Sequence, residues 1–183
     1  MKRIGLSLAV VATLLVASCG NFGMVQQEQR PEIKAPADKA ALVIIRATNF
    51  GFAMVVDNYL DGKHIGQTKG KTYFLTEVEP GTHYVMSQAE NVGCARFDFE
   101  AGKVYYLTQA IFPGIMKART GFIAIDPEQA QKDIEDSDYY VYDSANPGED
   151  MDPEDYQETK VDFDEEAKND PDRHKDVLNY PGY

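Results

Sequence analysis

Between residues 41 and 125 the chain offers eight short apolar or alternating segments separated by turn signals. That spacing restricts the fold more than any other feature, because it suits an antiparallel sandwich or barrel and little else. Residues 41–47 are apolar on both faces, as a central strand requires. Residues 54–60 run into Asp61-Gly62, which supplies the positive φ values of a two-residue hairpin turn, and residues 63–68 return. Residues 72–78 lead to Glu79-Pro80-Gly81-Thr82, where proline followed by glycine suits a type II turn. Residues 83–88, 95–99, 104–112 and 120–125 complete the set, with Ala101-Gly102 between two of them. The expectation is a mainly β domain over residues 41–137, an antiparallel immunoglobulin-like or PEGA-like β-sandwich.

Asp126-Pro127-Glu128 then opens a helix. Aspartate is a good N-cap, proline suits the first helical position, and glutamate favours the first turn. This helix is expected to reach about Asp136 and to lay Ala130 and Ile134 on the sheet.

The N-terminus carries a different signal. Lys2-Arg3 is followed by an uncharged apolar run to Val16, then Val16-Ala17-Ser18-Cys19. A basic start, a short apolar stretch and small residues before a break describe a secretory signal peptide, here residues 1–18. The apolar run falls short of the roughly 20 residues needed to span a bilayer. A cysteine directly after the small residues resembles the lipobox of bacterial lipoproteins. The resemblance implies cleavage before Cys19 and attachment of acyl chains such as palmitate through a diacylglyceryl group. Two or more chains anchor firmly, since each buried CH₂ contributes about 0.8 kcal/mol. By the same analogy, Gly20 after the cysteine favours the outer over the inner membrane, on its periplasmic or surface face. Residues 19–40 are polar with two prolines and read as a flexible lipidated tether, spanning roughly 25 Å.

Charge divides the chain. Residues 1–125 carry 13 Lys/Arg and 10 Asp/Glu, whereas residues 126–183 carry 5 and 20. The acidity belongs to the C-terminal part. With few aliphatics there, residues 138–183 read as a disordered acidic tail, unable to offset their ordering entropy. Such a tail suits transient contact with an envelope protein and argues against a nucleic acid partner, whose phosphates it repels.

The cysteine count is two. If Cys19 carries lipid, Cys94 has no partner, and it is expected to pack as a small apolar residue in a strand. The histidines His64, His83 and His174 lack zinc-site spacing, and no Cys-x-x-Cys occurs, so no metal site is read. No nucleophile elbow, phosphate loop or dinucleotide fingerprint is present, so no cofactor and no enzyme class is read either.

Several of these motifs occur together in an order that is similar to a known family. They are Tyr59-Leu60-Asp61-Gly62-Lys63 with Ile65-Gly66, then Thr72-Tyr73-Phe74, then Pro80-Gly81-Thr82-His83, then Ala101-Gly102-Lys103-Val104-Tyr105-Tyr106-Leu107. The stretch from about residue 36 to 135 resembles the bacterial lipoprotein domain called domain of unknown function 2846. The resemblance implies a lipid-anchored β-rich domain and carries no catalytic residue across. Read physically, Gly62, Gly81 and Gly102 serve turns, and Tyr73, Tyr105 and Tyr106 suit half-buried strand positions. The functional alternative is that His83, Tyr105 and Tyr106 line a groove for a ligand.

The sequence therefore reads as a non-enzymatic, membrane-anchored envelope lipoprotein with a structural or interaction role. The alternative is a ligand-binding module for lipid, glycan or peptide. An envelope hydrolase is a third, weaker reading.

Overall fold

The structure, a computed structural model, describes residues 22–115 and 118–183. The signal peptide and Cys19 lie outside the described residues. Among the described residues ten strands form two sheets packed face to face, so the expected mainly β sandwich is what they build.

The centre is β2 (Ala40–Arg46), every residue of which is buried. It pairs antiparallel with β5 (Thr72–Val78) and parallel with β8 (Val104–Pro113). Its alternate residues serve two faces. Leu42 and Ile44 enter the core between the sheets with Phe74, Tyr105 and Leu107. Val43 and Ile45 enter a second core on the outer face. A strand covered on both faces has no use for polar alternation, which explains its continuous apolar run.

The larger sheet has the order β1-β10-β5-β2-β8-β9, adding β1 (Met24–Gln26), β9 (Ala118–Ala124) and β10 (Asp138–Tyr142). The smaller one has the order β4-β3-β6-β7, from β3 (Val56–Leu60), β4 (Lys63–Thr68), β6 (Gly81–Gln88) and β7 (Val92–Phe99). Two pairs, β2 with β8 and β5 with β10, are parallel, so the sandwich is antiparallel-rich and not purely antiparallel.

The β3–β4 turn is the expected two-residue hairpin, with Asp61 at φ +50° and Gly62 at φ +80°. The Pro80-Gly81 turn differs from expectation. Strands β5 and β6 lie in different sheets, so the chain crosses the sandwich there and closes no hairpin. Gly81 opens β6 at φ +135°, well beyond the second central position of a type II turn.

Helix α1 (Pro127–Glu135) is as expected: the Asp126 carboxylate accepts the Gln129 N–H at 2.8 Å, and Ala130 and Ile134 are buried on the outer face of β2.

The expected disordered tail and flexible tether are both corrected. Residues 138–183 form β10, helix α2 (Pro153–Asn169) and the short helix α3 (Lys175–Leu178). Met151, Phe163, Ala167 and Val177 are buried in the main core. Asp152 caps α2 by accepting the Glu154 N–H, and Pro153 stands in its first turn. The apolar residues are few but correctly spaced, and the acids of α2 other than Asp164 are exposed. Composition alone misses this, because it counts residues without their positions. The last residue continues the fold, since Val104 and Tyr183 exchange backbone hydrogen bonds of 2.5 and 2.9 Å. Those bonds satisfy the start of β8 where β9, which pairs only from Leu107 onward, no longer reaches. The supposed tether is similarly tied down. β1 pairs with β10, Ile33 and Ala35 pack on the outer core, and Arg30 donates to the carbonyls of Ser137 (2.9 Å) and Glu135 (3.3 Å).

Candidate interaction site

The three residues expected to share a groove do not converge. Tyr105 is fully buried between the sheets; its hydroxyl donates to the Asp98 carbonyl and accepts the Glu100 N–H, each at 3.0 Å. Tyr106, the next residue on β8, faces the other way, beneath α1. It lines a cavity of ≈ 320 Å³ with Arg30, Ile33, Tyr73 and Ile134. His83 lies on β6, its Nδ1 2.5 Å from Asp61 Oδ2, while Asp61 Oδ1 accepts the Tyr84 N–H at 2.9 Å. The Phe99 ring lies 5.9 Å from the His83 ring and 4.5 Å from the Tyr105 ring.

The histidines stay apart. His64 Nε2 donates to Asp57 Oδ1 at 3.0 Å and its Nδ1 lies 3.4 Å from the Tyr142 hydroxyl. Burial pushes the Asp57 carboxyl up, but His64 and Gln67 outweigh it and leave the pKa lowered. The His174 ring packs against Phe163 with centroids 4.8 Å apart and the planes tilted by 59°. Among the described residues no group of three or more His, Cys, Asp or Glu is arranged to hold a metal. Cys94 sits half-buried in β7, as expected. Burial pushes its thiol up to about 12, far from the thiolate a nucleophile needs.

Two polar joints fasten the C-terminal segment, and the sequence reading missed both. In one, Asp150 accepts the His64 N–H (3.0 Å) and the Lys63 ammonium (2.6 Å), while Tyr142 accepts the Gly148 N–H (3.0 Å). In the other, Asp164 of α2 accepts the Tyr84 hydroxyl (2.7 Å), Arg96 (2.7 Å) and Lys160 (3.3 Å). The partners of Asp150, and Tyr84 and Arg96 among those of Asp164, are 68 to 87 residues away in sequence, so no local spacing marks them.

One end of the sandwich is unlike the rest. Arg46, at the end of β2, is fully buried and makes no ion pair among the described residues; its guanidinium donates to the carbonyls of Gly51 (2.6 Å), Met54 (2.7 Å) and Phe50 (3.2 Å). Burial lowers it to about 10. These bonds hold residues 47–55 in a loop that presents Phe50 and Phe52 at 52% and 70% exposure. Beside it the β8–β9 hairpin runs past the end of β2, and Phe112 and Ile115 are 51% and 96% exposed. Isolated exposed apolar residues are ordinary, whereas four large ones at a single end are a surface of note. Among the described residues no helix is long and apolar enough to cross a membrane.

Comparison with known proteins agrees with the strand and turn motifs. A relative from Haemophilus influenzae, described as an uncharacterized protein, is 25% identical over 132 residues, covering 72% of this chain and 76% of the relative. No solved structure matches. Residues 36–122 match the model of the family described as protein of unknown function (DUF2846). That segment, which spans the strands from β2 into β9, is therefore similar to the DUF2846 domain.

Proposed function

We propose that this protein is a membrane-anchored lipoprotein of the bacterial envelope that acts by contact and not by catalysis. The observation that carries the reading is the N-terminal sequence: Lys2-Arg3, an uncharged apolar run, and Val16-Ala17-Ser18 directly before Cys19. The acylated residue is Cys19, and Gly20 after it favours the outer membrane. The separation of His83, Tyr105 and Tyr106 and the unreactive setting of Cys94 fit a contact role. The working unit is the whole body from Phe22 to Tyr183, because the acidic segment is fastened to the sandwich by Asp150 and Asp164. Labelled palmitate supplied to cells, followed by fractionation, tests this. Wild-type protein takes up label and stays with membranes, and Cys19→Ala protein does neither. Uptake of label by Cys19→Ala protein, or none by wild type, contradicts the reading.

A second reading, ligand binding, has one observation in its favour. The cavity under α1 places Arg30 among Tyr73, Tyr106, Ile33 and Ile134, and its ≈ 320 Å³ is at the small end of ligand-site volumes. Native mass spectrometry of protein extracted from its own membranes tests it, through a co-purifying mass that Tyr106→Ala removes.

A further inference from the structure

We propose that the end of the sandwich carrying Phe50, Phe52, Phe112 and Ile115 lies against the lipid bilayer, with these side chains in the headgroup and upper acyl region. The proposal rests on the reading of Cys19 as the lipid anchor.

Reach is the first argument. The described chain starts at Phe22, whose ring packs on Tyr140 at 5.1 Å and lies 4.4 Å from the Lys69 ammonium. Cys19 is three residues earlier. Three residues span at most about 11 Å even when fully extended. Chain that would have been a long tether is folded onto the body, so the surface around Lys69 is held close to the lipid.

Adjacency is the second. Lys69 and Gly70 form the β4–β5 turn, and the Gly70 N–H donates to the Phe52 carbonyl at 3.1 Å. A Cβ on Gly70 would stand 2.8 Å from Phe52 Cα, and one on Gly51 would stand 4.0 Å from the Ile111 side chain. The anchor's exit, the phenylalanine loop and the base of the β8–β9 hairpin are therefore neighbours.

Charge is the third. Residues 47–56 and 110–119 contain no Asp or Glu, and Lys69, Lys71 and Arg119 stand at the same end. Acids border this end as well: Glu90 accepts the Ile115 N–H at 3.1 Å, Asp136 lies 3.8 Å from Lys71 Nζ, and the exposed Asp138 is level with Thr72 across the β10–β5 pair. The start of α2 is fixed at the opposite end, where the Met151 N–H donates to the Gly62 carbonyl. An anionic bilayer repels the acidic start of α2 and meets no acid on the loop of residues 47–56 or the hairpin of residues 110–119. Apolar side chains on a basic background are the composition of interfacial membrane contacts. Arg46 adds preorganisation, because its three carbonyl bonds hold the loop in shape before any contact forms.

The test uses full-length lipidated protein in vesicles of phosphatidylethanolamine and phosphatidylglycerol whose acyl chains carry a spin-label quencher. A polarity-sensitive dye is placed at Phe52→Cys or at Glu79→Cys, each with Cys94→Ala. Glu79 follows the far end of β5, about 20 Å along the strand from the Lys69 turn. Quenching several-fold stronger at position 52 than at 79, and lost when Phe50→Ser and Ile115→Ser are added, is the expected result. Equal quenching at both positions, or stronger quenching at 79, overturns the proposal. The mass of the N-terminal peptide in the same preparation scores the anchor separately. If Cys19 proves unmodified, the anchor reading fails. The Cys19→Ala protein with anionic vesicles then decides the surface: dye at position 52 quenched selectively supports it, and no selective quenching overturns it.

Discussion

Asp164 on α2 and Arg96 on β7 meet at 2.7 Å, across 68 residues of sequence. The same carboxylate accepts from Tyr84 and Lys160, so one side chain fastens the acidic helix to the smaller sheet. Burial pushes the Asp164 carboxyl up, but Tyr84, Lys160 and Arg96 outweigh it and leave the pKa lowered from 3.8. A depressed carboxylate stabilises the fold fully above its unfolded value, and the contribution is lost as pH falls through the folded value. Docking of α2 is thus complete at neutral pH and weakens below about pH 4. Asp164→Asn removes that part of the acid sensitivity and destabilises by about 1–2 kcal/mol, a modest figure because both partners are about one-third exposed. Amide exchange along residues 153–169, measured against pH, checks both.

Phe163 is buried against Tyr84 and His174. Phe163→Ala leaves a cavity and is expected to cost about 3–5 kcal/mol, which urea unfolding measures. A disordered tail would show almost no change.

Gly148 passes so close to His64 that a Cβ there would stand 2.5 Å from both ring nitrogens. Gly148→Ala must move the ring or residues 143–150, at a cost of about 1–3 kcal/mol. Adding His64→Ala removes the clash, so the double variant is expected to be more stable than the two separate losses predict. Thermal unfolding of the four proteins gives the coupling.

The Cys94 thiol, pushed up to about 12, is expected to resist a thiol reagent at pH 8 in the folded protein and to react at once in denaturant. Rapid labelling of the native state contradicts the burial of β7.

The sequence displays the parts of this fold that local chemistry fixes. The Asp61-Gly62 hairpin, the apolar run of β2 and the Asp126-Pro127 helix start each depend on a few neighbouring residues, and each forms as expected. The Pro80-Gly81 crossing does not, because a turn's residues fix its dihedrals but not the sheet its next strand joins. The C-terminal helices were illegible for a related reason. Phe163, Ala167 and Val177 find their partners on strands far away in sequence, and a high acid count masks four or five well-placed apolar residues. At the candidate site, the phenylalanines were visible as letters, but nothing in their spacing tells that Arg46 holds their loop or that Phe22 lies beside Lys69.

Everything said of the membrane depends on Cys19. The most direct measurement is the mass of the tryptic peptide covering residues 19–34 from protein isolated from its native membranes. The account predicts that this peptide begins at Cys19 and carries a diacylglyceryl mass, with residues 1–18 absent. A peptide beginning upstream of Cys19, or one beginning there without added mass, contradicts it.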